Sequence, residues 1–419
     1  MNKTVSGNTR AVCHIDANYF YAQIEALYRP ELRGTAFVVG GDQESRKGIV
    51  LTKSPLAKIF GVKTGTSIKE ALNIYAKLNI IPANYPLYLH FSQRMREIVL
   101  QHTDTIKPYG SDEMWAQLYG SRTEVRKTVE AIRQAIWQQL CLTVSIGIGD
   151  NLPYAKLGSD LAPNNGVFEA WTEDREKVVY PLPVSDLLHV GPATADKFKL
   201  HGINTIGDLA KSTPKRICEI LRNKTGEYLW IMAIGQDKTT VAYAEGAADE
   251  KSIGNSNTMP RDLVNDDDVR AAFYMLGESV AERMRENGFE ANTLKISVRD
   301  NGLTSFERQA KLQRPTNLAA EMVPAAIELF KRHYTWHKPV RSLGIRCTDL
   351  VPEGAIHQLS LFEDERKHTK MAMLERSVDR IRNRYGHTIL QRAVLMQERL
   401  KSVNANNDIG DAQTFYVYR

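Results

Sequence analysis

Three carboxylates stand at positions where a folded chain could bring them together. Asp16 ends a strand-like segment, and the adjacent pair Asp112 and Glu113 follows a Pro-Tyr-Gly stretch that favours a hairpin turn. Neighbouring residues on a strand point to opposite faces, but at a hairpin apex both can approach one ion. Three hard oxygen donors suit Mg²⁺, and two such ions about 3.5–4 Å apart support in-line displacement at phosphorus. A solvated acidic turn is the alternative for Asp112 and Glu113 taken alone.

The composition is that of a globular chain large enough for several domains. Its 419 residues are 42% hydrophobic and 25% charged, and the net charge of +6 permits a polyanionic partner without showing one. The four cysteines are widely separated, so neither a zinc site nor a secreted disulfide framework is predicted. Because there is no signal-like segment and no apolar run of membrane-spanning length, we expect a cytoplasmic location.

Strand and helix patterns place the carboxylates on a sheet covered by helices. Residues 11–16 read as a buried strand and residues 18–25 as the start of a helix. A small subdomain of strands and a helix is inserted between residues 31 and 82. Apolar residues at helical spacing over 125–140 predict a buried helix face, which leads into a strand at 142–147.

The pattern changes after residue 181 to short helices. Residues 190–203 have the layout of a helix-hairpin-helix, in which backbone N–H groups at a glycine-containing turn can face a phosphate. Residues 237–250 read as a linker. From residue 251 to about 350 the order strand, helix, two strands, helix, strand is a split βαβ arrangement, and a basic helical stretch follows at 376–385.

Four motifs in this order resemble the Y-family, lesion-bypass DNA polymerases. They are the string Asp16–Glu25, the pair Asp112-Glu113, the run Ser145–Gly166, and the hairpin-helix region continued by residues 252–262. Residues 358–390 are similar to the bacterial UmuC-like branch, including its plasmid- and phage-borne Gram-positive members. The resemblance implies a template-directed, low-fidelity DNA polymerase for translesion synthesis. It would use two Mg²⁺ ions, or Mn²⁺ in their place, with primer–template DNA and dNTPs.

The resemblance also implies an α+β multidomain fold with a right-hand layout. Its parts are a ferredoxin-like palm, small fingers, a helical thumb with a helix-hairpin-helix, a split βαβ little finger and a C-terminal tail. The implied boundaries are palm 1–19 and 86–171, fingers 20–85, thumb 172–240, linker 241–250, little finger 251–350 and tail 351–419.

Carried over residue by residue, the resemblance gives Asp16, Asp112 and Glu113 as the catalytic, metal-binding carboxylates. The main-chain carbonyl of Ala17 would complete the shell of one ion. The positions that match nucleotide-binding residues are Asn18, Tyr19, Phe20, Tyr21, Thr52, Lys58 and Lys156.

Two of these positions have specific roles in the family. Tyr21 matches the steric gate, whose ring fills the space of a ribose 2′-hydroxyl, and Lys156 matches the lysine on the triphosphate. A tyrosine that merely packs in the core, and a surface pair between Lys156 and Asp160, are the respective alternatives.

Three departures from the family pattern affect these expectations. Pro55 and Lys58 stand where a Tyr and an Arg are usual, so a point charge replaces a bidentate grip on the triphosphate. Gly110-Ser111 replaces the usual Ser-Ile before the acidic pair. His189 takes the place of the first glycine of the hairpin-helix turn, which changes that phosphate contact.

Contacts to DNA and to a sliding clamp are predicted farther along the chain. The candidate DNA-binding residues are Gly191, Lys251, Arg261, Lys295, Arg299 and Arg341. For each charge among them taken alone, a solvated surface position is the favoured alternative. The segment Gln358-Leu359-Ser360-Leu361-Phe362 resembles the pentapeptide that binds the bacterial β sliding clamp, with a short buried helix as the alternative.

Two other function classes compete with the polymerase. A catalytically silent family member would bind DNA and clamp as an adaptor, but it need not keep Asp16, Asp112 and Glu113. A cyclase or nuclease on a similar two-metal platform should lack both the hairpin-helix region and the clamp peptide. The sequence leaves open whether a UmuD′-like or RecA partner is needed, and whether expression belongs to the SOS response.

Overall fold

The computed structural model describes residues 9–41, 48–241, 251–355, 365–387 and 389–396. They belong to two compact units, which consist mainly of residues 9–241 and residues 251–396. In the described part of the chain, no helix combines the length and the apolar character that a bilayer span requires.

The first unit alternates strands with helices and ends in a run of short helices. Its elements are β1 (Thr9–Ala17), α1 (Phe20–Tyr28), β2 (Phe37–Gly40), β3 (Val50–Lys53), α2 (Pro55–Ile59), α3 (Ile68–Ile74), β4 (Asn79–Pro82), α4 (Tyr85–Leu100), β5 (Ile106–Tyr109), β6 (Glu113–Gly120), α5 (Arg122–Leu140), β7 (Val144–Gly149), α6 (Leu152–Leu161), β8 (Val167–Glu169), α7 (Arg175–Val178), α8 (Pro192–Leu200), α9 (Ile206–Lys211), α10 (Pro214–Leu221) and α11 (Thr225–Ala233).

A five-stranded, palm-like sheet in the order β5-β6-β1-β7-β8 is the centre of this unit. Because side chains alternate along a strand, β1 packs on both faces. Cys13 and Ile15 join the core that includes residues of α4 and α5, whereas Val12 packs with residues of α6. His14 and Asp16, which share the face of Val12, therefore point toward α6.

Glycines allow α6 to approach the sheet closely. A Cβ atom at Gly147 of β7 would lie 2.0 Å from the carbonyl oxygen of Ala155, and one at Gly158 would lie 2.9 Å from Gly147 Cα. No side chain fits at this contact, so the glycines set how close the functional face of α6 comes to β1.

Two smaller groups of elements complete the first unit. β2, β3 and β4 form a three-stranded sheet, which packs with α2 and α3 around a small apolar core of its own. The short helices α7–α11 surround a separate apolar core. In the turn before α8, His189 adopts the left-handed φ of 68° that explains why glycine is usual there.

The second unit consists of β9 (Ser252–Leu263), α12 (Asp266–Glu286), β10 (Phe289–Asp300), β11 (Ser305–Thr316), α13 (Ala319–His333), β12 (Val340–Pro352) and α14 (Glu365–Tyr385). Its sheet has the order β11-β10-β12-β9 with antiparallel neighbours, so β12 lies between β9 and β10. The predicted split βαβ arrangement is confirmed, with α12 and α13 packed on the sheet.

Helix α14 packs onto this second unit, although the sequence-based division places residues 351–419 in a tail. Glu375 accepts hydrogen bonds from the backbone N–H groups of Ala319 and Ala320, each at 3.0 Å, at the start of α13. It also forms a buried ion pair with Arg285 of α12 at 2.8 Å. These contacts join polar groups that are far apart in the sequence. The hydrophobic periodicity of the sequence therefore could not predict that α14 packs here. The segment 358–362 lies outside the described residues.

Candidate active site

Asp16 and Glu113 are direct cross-strand partners on β1 and β6. Gly110, with φ of 80°, turns the chain from β5 into β6, and Asp112 is the last residue of this turn. The backbone N–H of Ala17 donates to the carbonyl of Asp112 at 3.0 Å, which ties the end of β1 to the turn. The hairpin apex predicted from the sequence is therefore confirmed, and it places all three candidate carboxylates at one end of the sheet.

Lys156 of α6 bridges the facing carboxylates. Its Nζ lies 3.1 Å from Asp16 Oδ2, 3.2 Å from Glu113 Oε1 and 3.0 Å from Asp160 Oδ1. The lysine side chain is only 14% exposed. Both the contact with the catalytic candidates and the i, i+4 pair with Asp160 are present, so the surface-pair alternative accounts for only one of three partners.

Burial and like charges set the protonation of this cluster. Burial, followed by the charges of Glu113 and Asp16, raises the pKa of Asp112 to about 7. Burial and Glu113 likewise raise the pKa of Asp16. Burial opposes the charged form of Lys156, yet the surrounding carboxylates raise the pKa of its ammonium above the ordinary value. Two facing carboxylates in a buried site are stabilised by a nearby positive charge, and the ammonium of Lys156 provides that charge.

The donor set fits a divalent metal ion once the ammonium is displaced. Among the described residues, no three His, Cys, Asp or Glu side chains are gathered closely enough to hold a metal as they stand. The Lys156 ammonium nevertheless occupies a cation position beside Asp16 and Glu113, and Glu113 Oε2 is buried without a hydrogen-bond partner. Carboxylate and carbonyl oxygens are the ligands that Mg²⁺ prefers.

His14 and Ser159 also belong to this site, and sequence reasoning missed both. His14 is fully buried beneath Glu113, with Nε2 3.4 Å from Glu113 Oε2 and Nδ1 2.8 Å from Ser159 Oγ. Burial, then the charge of Lys156, lowers the pKa of His14 to about 3, so the ring is neutral. The i, i+2 spacing from Asp16 was the available signal, because it puts both residues on one face of β1.

Tyr21 lies against the turn that carries Asp112. Its hydroxyl is 3.3 Å from the hydroxyl of Ser111, and its ring stacks on Tyr88 with centroids 4.2 Å apart. The ring is half-buried rather than enclosed. Ser111 is one of the departures from the family pattern. Its hydroxyl contacts the hydroxyl of Tyr21, the candidate steric gate.

Asn18 and Phe20 contribute mainly to local structure. The Asn18 amide donates to Ser145 Oγ at 2.8 Å and its oxygen accepts from the backbone N–H of Asn165 at 3.0 Å. These bonds join the end of β1 to β7 and to the loop after α6. Phe20 is buried in the core, so only its backbone can approach a ligand.

Basic residues of β3 and α2 lie near Tyr19. Lys58 Nζ is 5.6 Å from the centre of the Tyr19 ring. Burial, followed by the charge of Lys58, lowers the pKa of Lys53, which is adjacent to the predicted Thr52 on β3. Lys53 was not predicted, although its position next to Thr52 would have placed it on the same short strand.

The predicted DNA-binding residues have different surroundings. Arg261 is engaged within the protein, because its guanidinium makes a bidentate ion pair with Asp268 at 2.5 and 2.9 Å. Lys295 is paired with Glu307, and Arg299 is exposed and donates to the carbonyl of Leu303 at 3.4 Å.

The other candidate DNA contacts are less engaged in the structure. Lys251 is exposed and Arg341 is half-buried. Gly191 is the N-cap of α8, and a Cβ atom there would meet nothing within 4 Å. Arg346, which sequence reasoning missed, is the cross-strand partner of Lys295 and is exposed.

Comparisons with known proteins agree with this geometry. Residues 15–160 match the impB/mucB/samB family, and residues 250–361 match the C-terminal domain of the same family. A DNA polymerase IV from Acetivibrio thermocellus is 40% identical over 396 residues, which cover 93% of this chain and 98% of that protein. DNA polymerase IV 1 from Bacillus subtilis is 32% identical over 96% of this chain and 98% of its own length.

A solved structure shares the fold. It is a Y-family DNA polymerase chimera of Dbh and Dpo4, which matches with a TM-score of 0.71 and 20% identity over 82% of this chain and all of the chimera. The palm-like sheet and the separate C-terminal sheet domain therefore occur in a known architecture. The chain belongs to the impB/mucB/samB family and is a Y-family, translesion DNA polymerase.

Proposed function

We propose that this polymerase transfers a nucleotide from a dNTP to the 3′-hydroxyl of a primer at the site formed by Asp16, Asp112 and Glu113. The observation that carries this assignment is the direct cross-strand pairing of Asp16 with Glu113 around a cation position. Like charges placed directly opposite each other destabilise a sheet. Asp16 and Glu113 keep this arrangement although they are partly shielded from water. The binding of a positively charged group between them explains it best.

The three carboxylates and the carbonyl of Ala17 would hold two Mg²⁺ ions, with Mn²⁺ as a substitute. Bound there, the ions would lower the pKa of the primer hydroxyl and neutralise charge on the pyrophosphate that leaves. The protein holds these carboxylates in place, because the pairing of β1 with β6 and the hydrogen bond from the N–H of Ala17 fix the spacing between Asp16 and Asp112. We infer that Lys156 leaves the carboxylates when the ions bind and turns to the triphosphate.

The nucleotide would lie between the carboxylates and the small sheet. Tyr21 is placed to act as the steric gate, since its ring is braced by Tyr88 and its hydroxyl by Ser111. Thr52 and Lys58 would contact the triphosphate from the side of Tyr19. Lys58 offers a single point charge, so this grip is less directional than that of an arginine.

Template and primer backbones would contact basic residues on the open face of the second unit's sheet. Side chains alternate on β10, so Lys295 and Arg299 share the face opposite the buried Leu294 and Ile296. Lys251, Arg341 and Gly191 remain candidates for phosphate contacts. Arg261 would first have to leave Asp268, and we therefore rank it below the exposed residues.

Three further assignments follow from the family. We propose that residues 1–19 and 86–171 are the palm, 20–85 the fingers, 172–240 the thumb, 251–350 the little finger and 351–419 a C-terminal region. The segment Gln358–Phe362 would bind a β sliding clamp. We also propose that the chain belongs to the UmuC-like branch of the family, with its plasmid- and phage-borne Gram-positive members. Its protein partner would then be UmuD′-like or RecA.

Primer extension by the purified wild-type protein tests the proposal. The expected result is Mg²⁺-dependent addition of the complementary dNTP opposite each of the four template bases, and extension across an abasic site. A protein that binds primer–template but adds no nucleotide under any of these conditions would instead be a DNA-binding adaptor.

A further inference from the structure

A buried carboxyl group lies one helical turn after the candidate steric gate. Tyr21 and Glu25 are four residues apart on α1, so their side chains lie on the same face of that helix. Tyr88 of α4 contacts both of them. Its ring stacks on the ring of Tyr21 with centroids 4.2 Å and planes 15° apart, and its hydroxyl donates to Glu25 Oε1 at 2.6 Å. The side chain of Tyr88 therefore joins the gate to the carboxyl group.

The hydrogen bond between Tyr88 and Glu25 is enclosed in the protein. Tyr88 is 1% exposed and Glu25 is 2% exposed. A buried carboxyl group costs free energy unless its oxygens find polar partners. The hydroxyl of Tyr88 is the partner of Oε1, and Arg29 Nε lies 3.5 Å from Oε2. If the hydroxyl moved away, a buried donor and a buried acceptor would both lose their partner, so this bond restricts where the Tyr88 ring can lie.

Packing alone does not require this hydrogen bond. A phenylalanine at position 88 would keep the stack on Tyr21 and the edge contact with the ring of Tyr85, whose centroid is 6.0 Å away. Stacked rings tolerate a range of offsets, whereas a hydrogen bond prescribes a distance and an angle. The bond to Glu25 therefore adds a fixed position for the Tyr88 ring, which stacking on Tyr21 does not provide.

We propose that Glu25 is a positioning residue for sugar selection, which holds Tyr88 and through it the ring of Tyr21. This inference rests on the proposed role of Tyr21 as the steric gate. The Tyr21 ring is half-buried and rests with one face on Tyr88. A Tyr88 ring that is free to shift lets the Tyr21 ring follow it, and the space at the ribose 2′ position then widens. Glu25 acts on the nucleotide only through these two rings.

The test is the preference for dNTP over rNTP, as a ratio of kcat/KM, measured by single-nucleotide incorporation with the full chain. Tyr88→Phe removes only the hydroxyl, Glu25→Met removes the acceptor at similar size, and Glu25→Gln keeps an acceptor oxygen. The preference should fall about 3- to 10-fold in Tyr88→Phe and Glu25→Met, the range that one lost hydrogen bond allows, and stay within about 2-fold of wild type in Glu25→Gln.

Two controls accompany these variants. Glu31→Met replaces an exposed glutamate just after α1 and should keep the wild-type preference. The ratio compares two substrates on one protein, so a smaller folded fraction does not change it. In the Tyr21→Ala background, Glu25→Met should cause no further fall, because no ring remains to be held.

The outcomes separate this inference from the steric gate itself. An unchanged preference in Tyr88→Phe or in Glu25→Met would overturn the role of Glu25. A fall in Glu25→Gln as large as that in Glu25→Met would also overturn it, and so would a further fall in the Tyr21→Ala background. If Tyr21→Ala alone kept the wild-type preference, the proposed gate would fail instead.

Discussion

Asp16 and Glu113 face each other directly across β1 and β6, at the end of the sheet where the β5–β6 turn places Asp112. Two like charges in register destabilise a sheet unless a cation lies between them. In this structure the ammonium of Lys156 is that cation, within 3.2 Å of both carboxylates. The relationship links the stability of the protein, the protonation of the site and catalysis.

The first prediction concerns Asp112 and pH in the absence of metal. The pKa of Asp112 is raised to about 7 in the folded protein and is about 3.9 in an unfolded chain. Between these values the folded state keeps a proton that the unfolded state has released, so this residue lowers the free energy of unfolding as pH rises. His14, whose pKa is lowered to about 3, acts in the opposite direction over part of the same range.

Comparing wild type with Asp112→Asn separates the contribution of Asp112 from that of His14. From pH 4 to 7 the free energy of unfolding of Asp112→Asn should rise relative to that of wild type by up to about 1.4 kcal/mol per pH unit. Urea unfolding in the presence of a chelator measures both proteins. Parallel pH profiles would show that Asp112 does not titrate in this range.

The second prediction concerns Lys156 as the internal counter-ion. Lys156→Met leaves Asp16 and Glu113 without a cation, so the metal-free protein should lose about 3 kcal/mol of unfolding free energy. Added Mg²⁺ should stabilise Lys156→Met more than wild type, because the ion no longer competes with an ammonium. Thermal melts with and without Mg²⁺ measure this, with the exposed Lys127→Met as control. Equal Mg²⁺ shifts in both proteins would place the ion elsewhere.

The third prediction concerns sugar selection by Tyr21. Tyr21→Ala should increase ribonucleotide incorporation about 10-fold or more, since the ring no longer fills the 2′-hydroxyl space. Ser111→Ala should have a smaller effect in the same direction, because the gate loses its hydroxyl contact. Single-nucleotide incorporation with dNTP and rNTP measures the ratio. Tyr28→Ala, an exposed tyrosine on the same helix, is the control. Unchanged sugar selectivity in Tyr21→Ala would exclude this residue as the gate.

The fourth prediction separates recruitment from catalysis. Replacing Leu361 and Phe362 with Ala should remove clamp stimulation, since buried anchors of this kind are worth about 2 kcal/mol or more each. Extension without clamp should stay within about a factor of two, because tethering raises the effective concentration of polymerase without changing the chemistry. Met373 and Leu374 are exposed apolar residues on α14, and their double Ala variant is the matched control. If clamp-free extension were lost in the Leu361/Phe362 variant, the segment would belong to the folded core.

Features set by local pattern could be predicted from the sequence. Asp16 at a strand end, the hairpin before Glu113 and the split βαβ order all follow from alternation, turn residues and element order. They need no knowledge of distant contacts.

Features that depend on polar partners in another element of the fold could not be predicted. The contact of His14 with Ser159 joins residues 145 positions apart. The pairing of Arg261 with Asp268 depends on how α12 follows β9, and the docking of Glu375 on α13 is a polar contact between helices. Such contacts leave no periodic trace in a sequence, so a charged residue that binds DNA and one that binds the protein look alike.

The rate of single-nucleotide incorporation by Asp16→Asn and Glu113→Gln, measured beside DNA affinity, tests the central claim most directly. Loss of a metal ligand should lower the rate by about 10²–10³-fold, the equivalent of several kcal/mol. DNA affinity should not weaken, because it depends on phosphate contacts elsewhere. Glu173→Gln, which removes an exposed carboxylate of a surface ion pair, should behave as wild type. Near-normal incorporation by either active-site variant would contradict the assignment of the facing carboxylates as the catalytic metal site.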